Sequence, residues 1–213
     1  MLRVLLLLVV AAAWFSTTAA APEPPIRFEE IAQKSGLRFE LRNGATGKFH
    51  QVELMAGGVG VLDYNNDGCM DIFFTNGAAI PGLRKTGPEY SNRLFRNNCN
   101  LTFTDVTAEA GVAGKGYSMA TAIGDFDNDG AVDVLVAQND GAPLLLRNYA
   151  GRRNHWLGLR LIGRKANIDA IGAKVVYRSG DLQRHLWKVA GGSYLSSHDP
   201  RIILGLGQRT KTD

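Results

Sequence analysis

An acidic nine-residue pattern that occurs twice does most to limit what this chain can fold into. "DYNNDGCMD" runs from Asp63 to Asp71, and "DFDNDGAVD" runs from Asp125 to Asp133. Both place oxygen-bearing side chains at positions 1, 3, 5 and 9 and a glycine at position 6. Each is flanked by short apolar, β-branched runs: "GVGVL" and "DIFF" for the first, "ATAIG" and "VDVLVA" for the second. Such runs, bounded by Gly, Asn and Asp, read as strands joined by a polar turn. Each copy therefore predicts a small antiparallel sheet.

Two further pieces recur around the loops. "FEEIAQKSGL" from Phe28 returns as "FTDVTAEAGV" from Phe103, a short helical turn closed by glycine. "RLFRNN" from Arg93 returns as "LLLRNY" from Leu144. The copies lie 75 residues apart at Phe28, 62 at Asp63 and 51 at Arg96. The first unit thus carries 11 extra residues between its loop and its "LFRN" strand. The Gly- and Pro-rich "AAIPGLRKTGPEYS" is predicted to be that surface insertion. A single unit of this size cannot bury its own faces and must stack on neighbours.

From Asn154 the texture changes. "NHWLGLRLIG", "GAKVVYRSG", "LQRHLWKVAGG" and "RIILGLG" read as four strands, with "RSGDLQ" as a hairpin turn. "QRTKTD" follows the last of them, so the expectation is a sheet without its closing strand. The predicted fold is all-β: repeat blades followed by a small β module. The expected divisions are 1–21, 22–150 and 151–213.

The loops suggest hard-cation chemistry. Alternate residues in a tight turn aim their oxygens inward, and the glycine permits the sharp bend. Asp125, Asp127, Asp129, the Ala131 carbonyl and Asp133 form the second set of candidate ligands. Asp63, Asn65, Asp67, the Cys69 carbonyl and Asp71 form the first. Calcium takes about 6–8 oxygens at about 2.3–2.6 Å. Two Ca²⁺ sites are expected, the Asp125 loop tighter because it has one more carboxylate. An EF-hand is excluded, because it needs a glutamate at position 12 and flanking helices. Position 12 is Phe74 in one loop and Val136 in the other. A solvated acidic turn is the alternative, and the second copy in the same context argues against it.

These motifs carry a resemblance. "LDYNNDGCMDIFF" and "GDFDNDGAVDVLV" look like FG-GAP/VCBS repeats, the calcium-loop blades of integrin-type β-propellers. "NHWLGLRLIGRKANIDAIGAKV", "GGSYLSSHDPRIILGLG" and "TKTD" resemble the ASPIC/UnbV domain. Together they are similar to the cartilage acidic protein family of secreted proteins. That resemblance implies a propeller of about seven blades; two loops are visible here. A chain lacking the middle blades and a genuinely short member are both consistent with the spacing.

The amino terminus reads as a secretory signal: Arg3, an apolar run from Val4 to Phe15, and small residues for cleavage near Ala21. The run is shorter than the roughly 20 residues of a membrane-spanning helix. An uncleaved anchor is the alternative; otherwise no membrane span follows cleavage. The expected location is secreted, periplasmic or extracellular. There Cys69 and Cys99, the only two cysteines, can form a disulfide, or remain two small buried thiols.

The net charge of +4 is uneven. Residues 147–213 hold 13 basic and 4 acidic side chains, and the rest of the chain holds 11 and 16. No basic–aromatic reader motif accompanies the excess, so nucleic acid is not expected as a partner. None of His50, His155, His185 and His198 sits at a metalloprotease spacing. Ser197, His198 and Asp199 are adjacent in sequence, which a turn explains better than a triad assembled in space. The expected function is a non-catalytic, calcium-binding scaffold that recognises an extracellular protein or glycan. The alternative is an accessory or catalytic subunit of an extracytoplasmic enzyme acting on glycans or other polymers.

Overall fold

A computed structural model describes residues 28–54, 57–165, 167–192 and 196–213. The signal segment 1–21 and the linker Pro22–Pro25 lie outside these residues. Residues 31–213 form one compact unit, and no described helix is long and apolar enough to cross a membrane.

The repeats fold as predicted into antiparallel sheets. The first contains β1 (Val59–Leu62), β2 (Asp71–Phe74), β3 (Arg93–Asn97) and β4 (Phe103–Asp105), side by side in chain order. The second contains β5 (Tyr117–Gly124), β6 (Asp133–Asn139) and β7 (Leu144–Leu146) in the same arrangement. The acidic loops join β1 to β2 and β5 to β6. Leu62 pairs with Asp71 and Gly124 with Asp133, so position 9 of each loop is the first residue of the returning strand.

The two sheets stack through β1 and β5. Leu62, Phe73, Leu94 and Val106 meet Ile123, Val132, Val134 and Val136 in one buried cluster. Alternate residues of β1 and β2 face this core, as a period of two dictates. Gly60 permits the close approach, because a side-chain carbon there would come within 2.7 Å of Ile123 Cδ1. The repeated helical turn is present in both copies. Gly36 closes the first at φ +82°, and Gly111 closes α1 (Thr107–Ala110) at φ +68°. The architecture is propeller-like, with two stacked sheets and no closed ring among the described residues.

The insertion at 78–91 differs from the surface excursion predicted for it. Its tip is exposed, but Ala78 is fully buried and Arg84 bridges to both Ala79 and Gly116. Lys85 Nζ donates to the carbonyls of Asn76 (2.7 Å), Gly77 (2.9 Å) and Tyr90 (2.5 Å). Its ammonium thus ties the segment to the buried backbone at Asn76 and Gly77, where a polar group needs a partner.

The four carboxy-terminal strands also appear. β8 (His155–Leu159) pairs with β11 (Ile202–Gly207), and β9 (Lys174–Ser179) pairs with β10 (Leu182–Trp187) through a tight Gly180–Asp181 turn. Tyr177, Leu182, Leu204 and Leu206 form a second buried cluster between these ribbons. No strand follows β11 among the described residues, but Asp213 and Arg178 exchange both backbone hydrogen bonds, at 2.9 and 3.0 Å. The chain turns back after Gly207 (φ +61°), which brings its last residues along the edge of β9.

Candidate metal centre

The two acidic loops share one hydrogen-bond scheme. In the first, the Asp63 carboxylate accepts from the N–H groups of Asp67 (3.0 Å) and Gly68 (2.8 Å). In the second, Asp125 accepts from Asp129 and Gly130, both at 3.1 Å. Position 1 thus gathers the amides of positions 5 and 6 and closes the turn. Position 5 then accepts from position 7: Asp67 from Cys69 at 2.7 Å, Asp129 from Ala131 at 2.9 Å. Gly68 and Gly130 sit at φ +90° and +86°, where a side chain is strained. Asn66 and Asn128 at position 4 are also left-handed, which asparagine tolerates.

Position 9 is held by asparagines whose residue type and spacing announce no such role. Asp71 accepts from Tyr64 N (3.0 Å) and Asn97 N (2.8 Å). Asp133 accepts from Phe126 N (3.1 Å) and Asn148 N (2.7 Å). Asn97 and Asn148 are the asparagines of the repeated "RN" pair. Their side chains also donate to Met70 O (3.1 Å) and Val132 O (2.9 Å), one residue before the aspartate. The recurrence of "RN" after each loop was the available signal.

Positions 1 and 9 are buried in both loops, while positions 3 and 5 lie nearer solvent. Burial pushes the Asp63 carboxyl up to about 7 and that of Asp71 up to about 8, and it raises Asp133 as well. Carboxylates withdrawn from water favour either a proton or a cation. The oxygens of Asp125, Asp127 and Asp133 lie within 4.8 Å of one another. These residues fit a hard cation by donor type and by convergence. In the first loop the equivalent trio is Asp63, Asn65 and Asp71, with an amide in place of one acid. Asp67 instead clusters with the sulfurs of Cys69 and Cys99. Those sulfurs are joined in a disulfide, with the Cα atoms 5.4 Å apart, and offer no thiolate.

The second loop has competing cations. Arg147 pairs with Asp127, and Arg152 pairs with Asp129. Both guanidinium groups lie over the Tyr149 ring, at 5.4 and 5.2 Å from its centre. The expectation of a tighter second site counted carboxylates alone, and these two arginines offset part of that charge. Asn65→Asp is expected to tighten calcium binding at the first loop, because the Asn65 side chain is a neutral amide that bonds to Asp67, where the second loop has a carboxylate. Calorimetry on the variant checks this; weaker binding would contradict it.

The carboxy-terminal module covers both loops. Asn154 Nδ2 donates to Asn65 O at 2.7 Å, and Gly207 N donates to Asn66 O at 2.8 Å. Arg184 Nε donates to Gly68 O at 2.6 Å. On the second loop, Arg201 donates to Asp125 O and Asn128 Oδ1. The Trp156 indole lies against Gly130, where an added side-chain carbon would fall 1.8 Å from the ring. Asn66 Nδ2 links the loops by donating to Gly130 O at 2.7 Å.

The Ser197–His198–Asp199 stretch belongs to the same docking surface. His198 Nδ1 accepts from Ile123 N (3.2 Å), Asp199 N donates to Ile123 O (2.8 Å), and the Asp199 carboxylate pairs with Arg201.

Stacked antiparallel sheets, each ending in an acidic loop, define an FG-GAP-type repeat protein with a β module docked on its loop end. Residues 63–136 match the FG-GAP-like repeat family, and residues 163–213 match the ASPIC and UnbV family. Over 155 residues, 68% of this chain, it is 30% identical to cartilage acidic protein 1 of Xenopus tropicalis. The same figures hold for the Homo sapiens and Mus musculus proteins of that name. The match covers 22% of the human protein and 23% of each of the other two, so the chain spans less than a quarter of these relatives. The chain thus combines an FG-GAP-like repeat segment with an ASPIC and UnbV segment, and is related over this region to cartilage acidic protein 1.

Proposed function

We propose that this protein is a secreted, calcium-stabilised scaffold for extracellular recognition or adhesion, without catalytic activity of its own. The observation that carries this reading is the shared geometry of the two loops. Each buries the carboxylates of positions 1 and 9, and each turns its backbone amides onto them. In calcium-rich extracellular fluid such loops can fill even at modest affinity. The similarity to cartilage acidic protein 1 and the signal-like amino terminus support an extracellular setting. The expected partner is an extracellular protein or glycan. His198 and Asp199 are engaged in docking contacts, which supports a structural role for them.

The test is binding of the full chain to glycan and matrix-protein panels, with calcium and with EDTA, beside a generic hydrolase screen. Calcium-dependent capture without turnover is the expected result. Turnover abolished by a substitution outside both loops would establish an enzyme instead.

A further inference from the structure

We infer that the carboxy-terminal module is a cation-controlled latch, docked on the loops only while calcium holds them closed. This rests on the calcium reading above. Closing each loop turns the N–H groups of positions 5 and 6 inward onto the position 1 carboxylate. With its amides pointing in, the first loop presents its carbonyls outward. Three of them receive the module: Asn65 O from Asn154, Asn66 O from Gly207 and Gly68 O from Arg184. In the second loop Asp125 O receives Arg201.

The fit is close as well as polar. An added side-chain carbon on Gly205 of β11 would lie 2.0 Å from Asp63 Oδ2 and 2.7 Å from the Asn66 backbone. β11 therefore lies directly on the loop backbone. If the first loop opens, its carbonyls rotate away and the Arg184 and Gly207 donors lose their acceptors together; opening of the second takes the Asp125 carbonyl from Arg201. Two sites that share one conformational element are coupled, and the coupling is reciprocal. Calcium favours the docked module, and the docked module raises calcium affinity.

Gly207 N–H donates to the first loop and is a direct probe of docking. Hydrogen exchange of the full chain should slow about tenfold across Ile202–Gly207 on going from EDTA to saturating calcium. The double variant Arg184→Gln/Arg201→Gln should keep both calcium sites by calorimetry and bind at each about tenfold more weakly. The wild-type exchange measurement needs no substitution, so it stands if the variant fails to fold. Calcium binding with unchanged exchange across Ile202–Gly207 would overturn the latch and leave the calcium reading intact. Absence of calcium binding to the wild type would remove both.

Discussion

Saturating calcium is expected to raise the melting temperature of this protein by about 10–20 °C over its value in EDTA. At a hundred times Kd, one site that binds only the folded state adds about 2.7 kcal/mol. Two sites add about 5 kcal/mol, and in a chain of this size each kcal/mol moves the midpoint by about 2–4 °C. Asp125→Ala should remove about half of the calcium-dependent gain, because Asp63 and Asp71 still serve the first loop. The same variant also takes the acceptor from the Gly130 amide and leaves the Asp129 amide only Asp127, so its EDTA midpoint should fall below that of the wild type. Differential scanning calorimetry of both proteins with calcium and with EDTA separates these effects. Identical wild-type midpoints in calcium and EDTA would show the loops to be ordinary turns.

The second large effect is expected from the Cys69–Cys99 bridge. It closes a chain segment with a sequence separation of 30 and ties the end of the first loop to the turn after β3. The chain-entropy treatment gives about 3–4 kcal/mol for a loop of that length. Cys69→Ser/Cys99→Ser should lower the urea midpoint by that amount divided by the urea m-value. Because Cys69 occupies position 7 of the first loop, the variant should also weaken calcium at that loop and leave the Asp125 site unchanged. Equal weakening at both sites would show that the bridge acts on global stability alone.

The strands, the two loops and the four-strand module were legible in the sequence because each rests on local chemistry. Alternating apolar residues set the strands, glycine at position 6 sets the bend, and repetition separates a designed pattern from chance. The role of "RN" was not legible, although both copies were visible. Asn97 and Asn148 act on aspartates 26 and 15 residues earlier, and only strand pairing brings them there. The insertion was misjudged for a related reason. Its composition describes an exposed tip, whereas Lys85 reaches back from it to the carbonyls of Asn76 and Gly77.

By itself, the sequence determined that this is an all-β repeat protein with two acidic loops suited to a hard cation, followed by a different, basic β module. Those properties follow from residue type and short-range spacing. The tertiary structure decided that the module lies on the loops, that Arg147 and Arg152 share their charge, and that Trp156 covers Gly130. It also decided which carboxylates are buried. Such contacts join residues tens of positions apart. Their geometry depends on how stacked sheets present outward carbonyls, which no local pattern encodes.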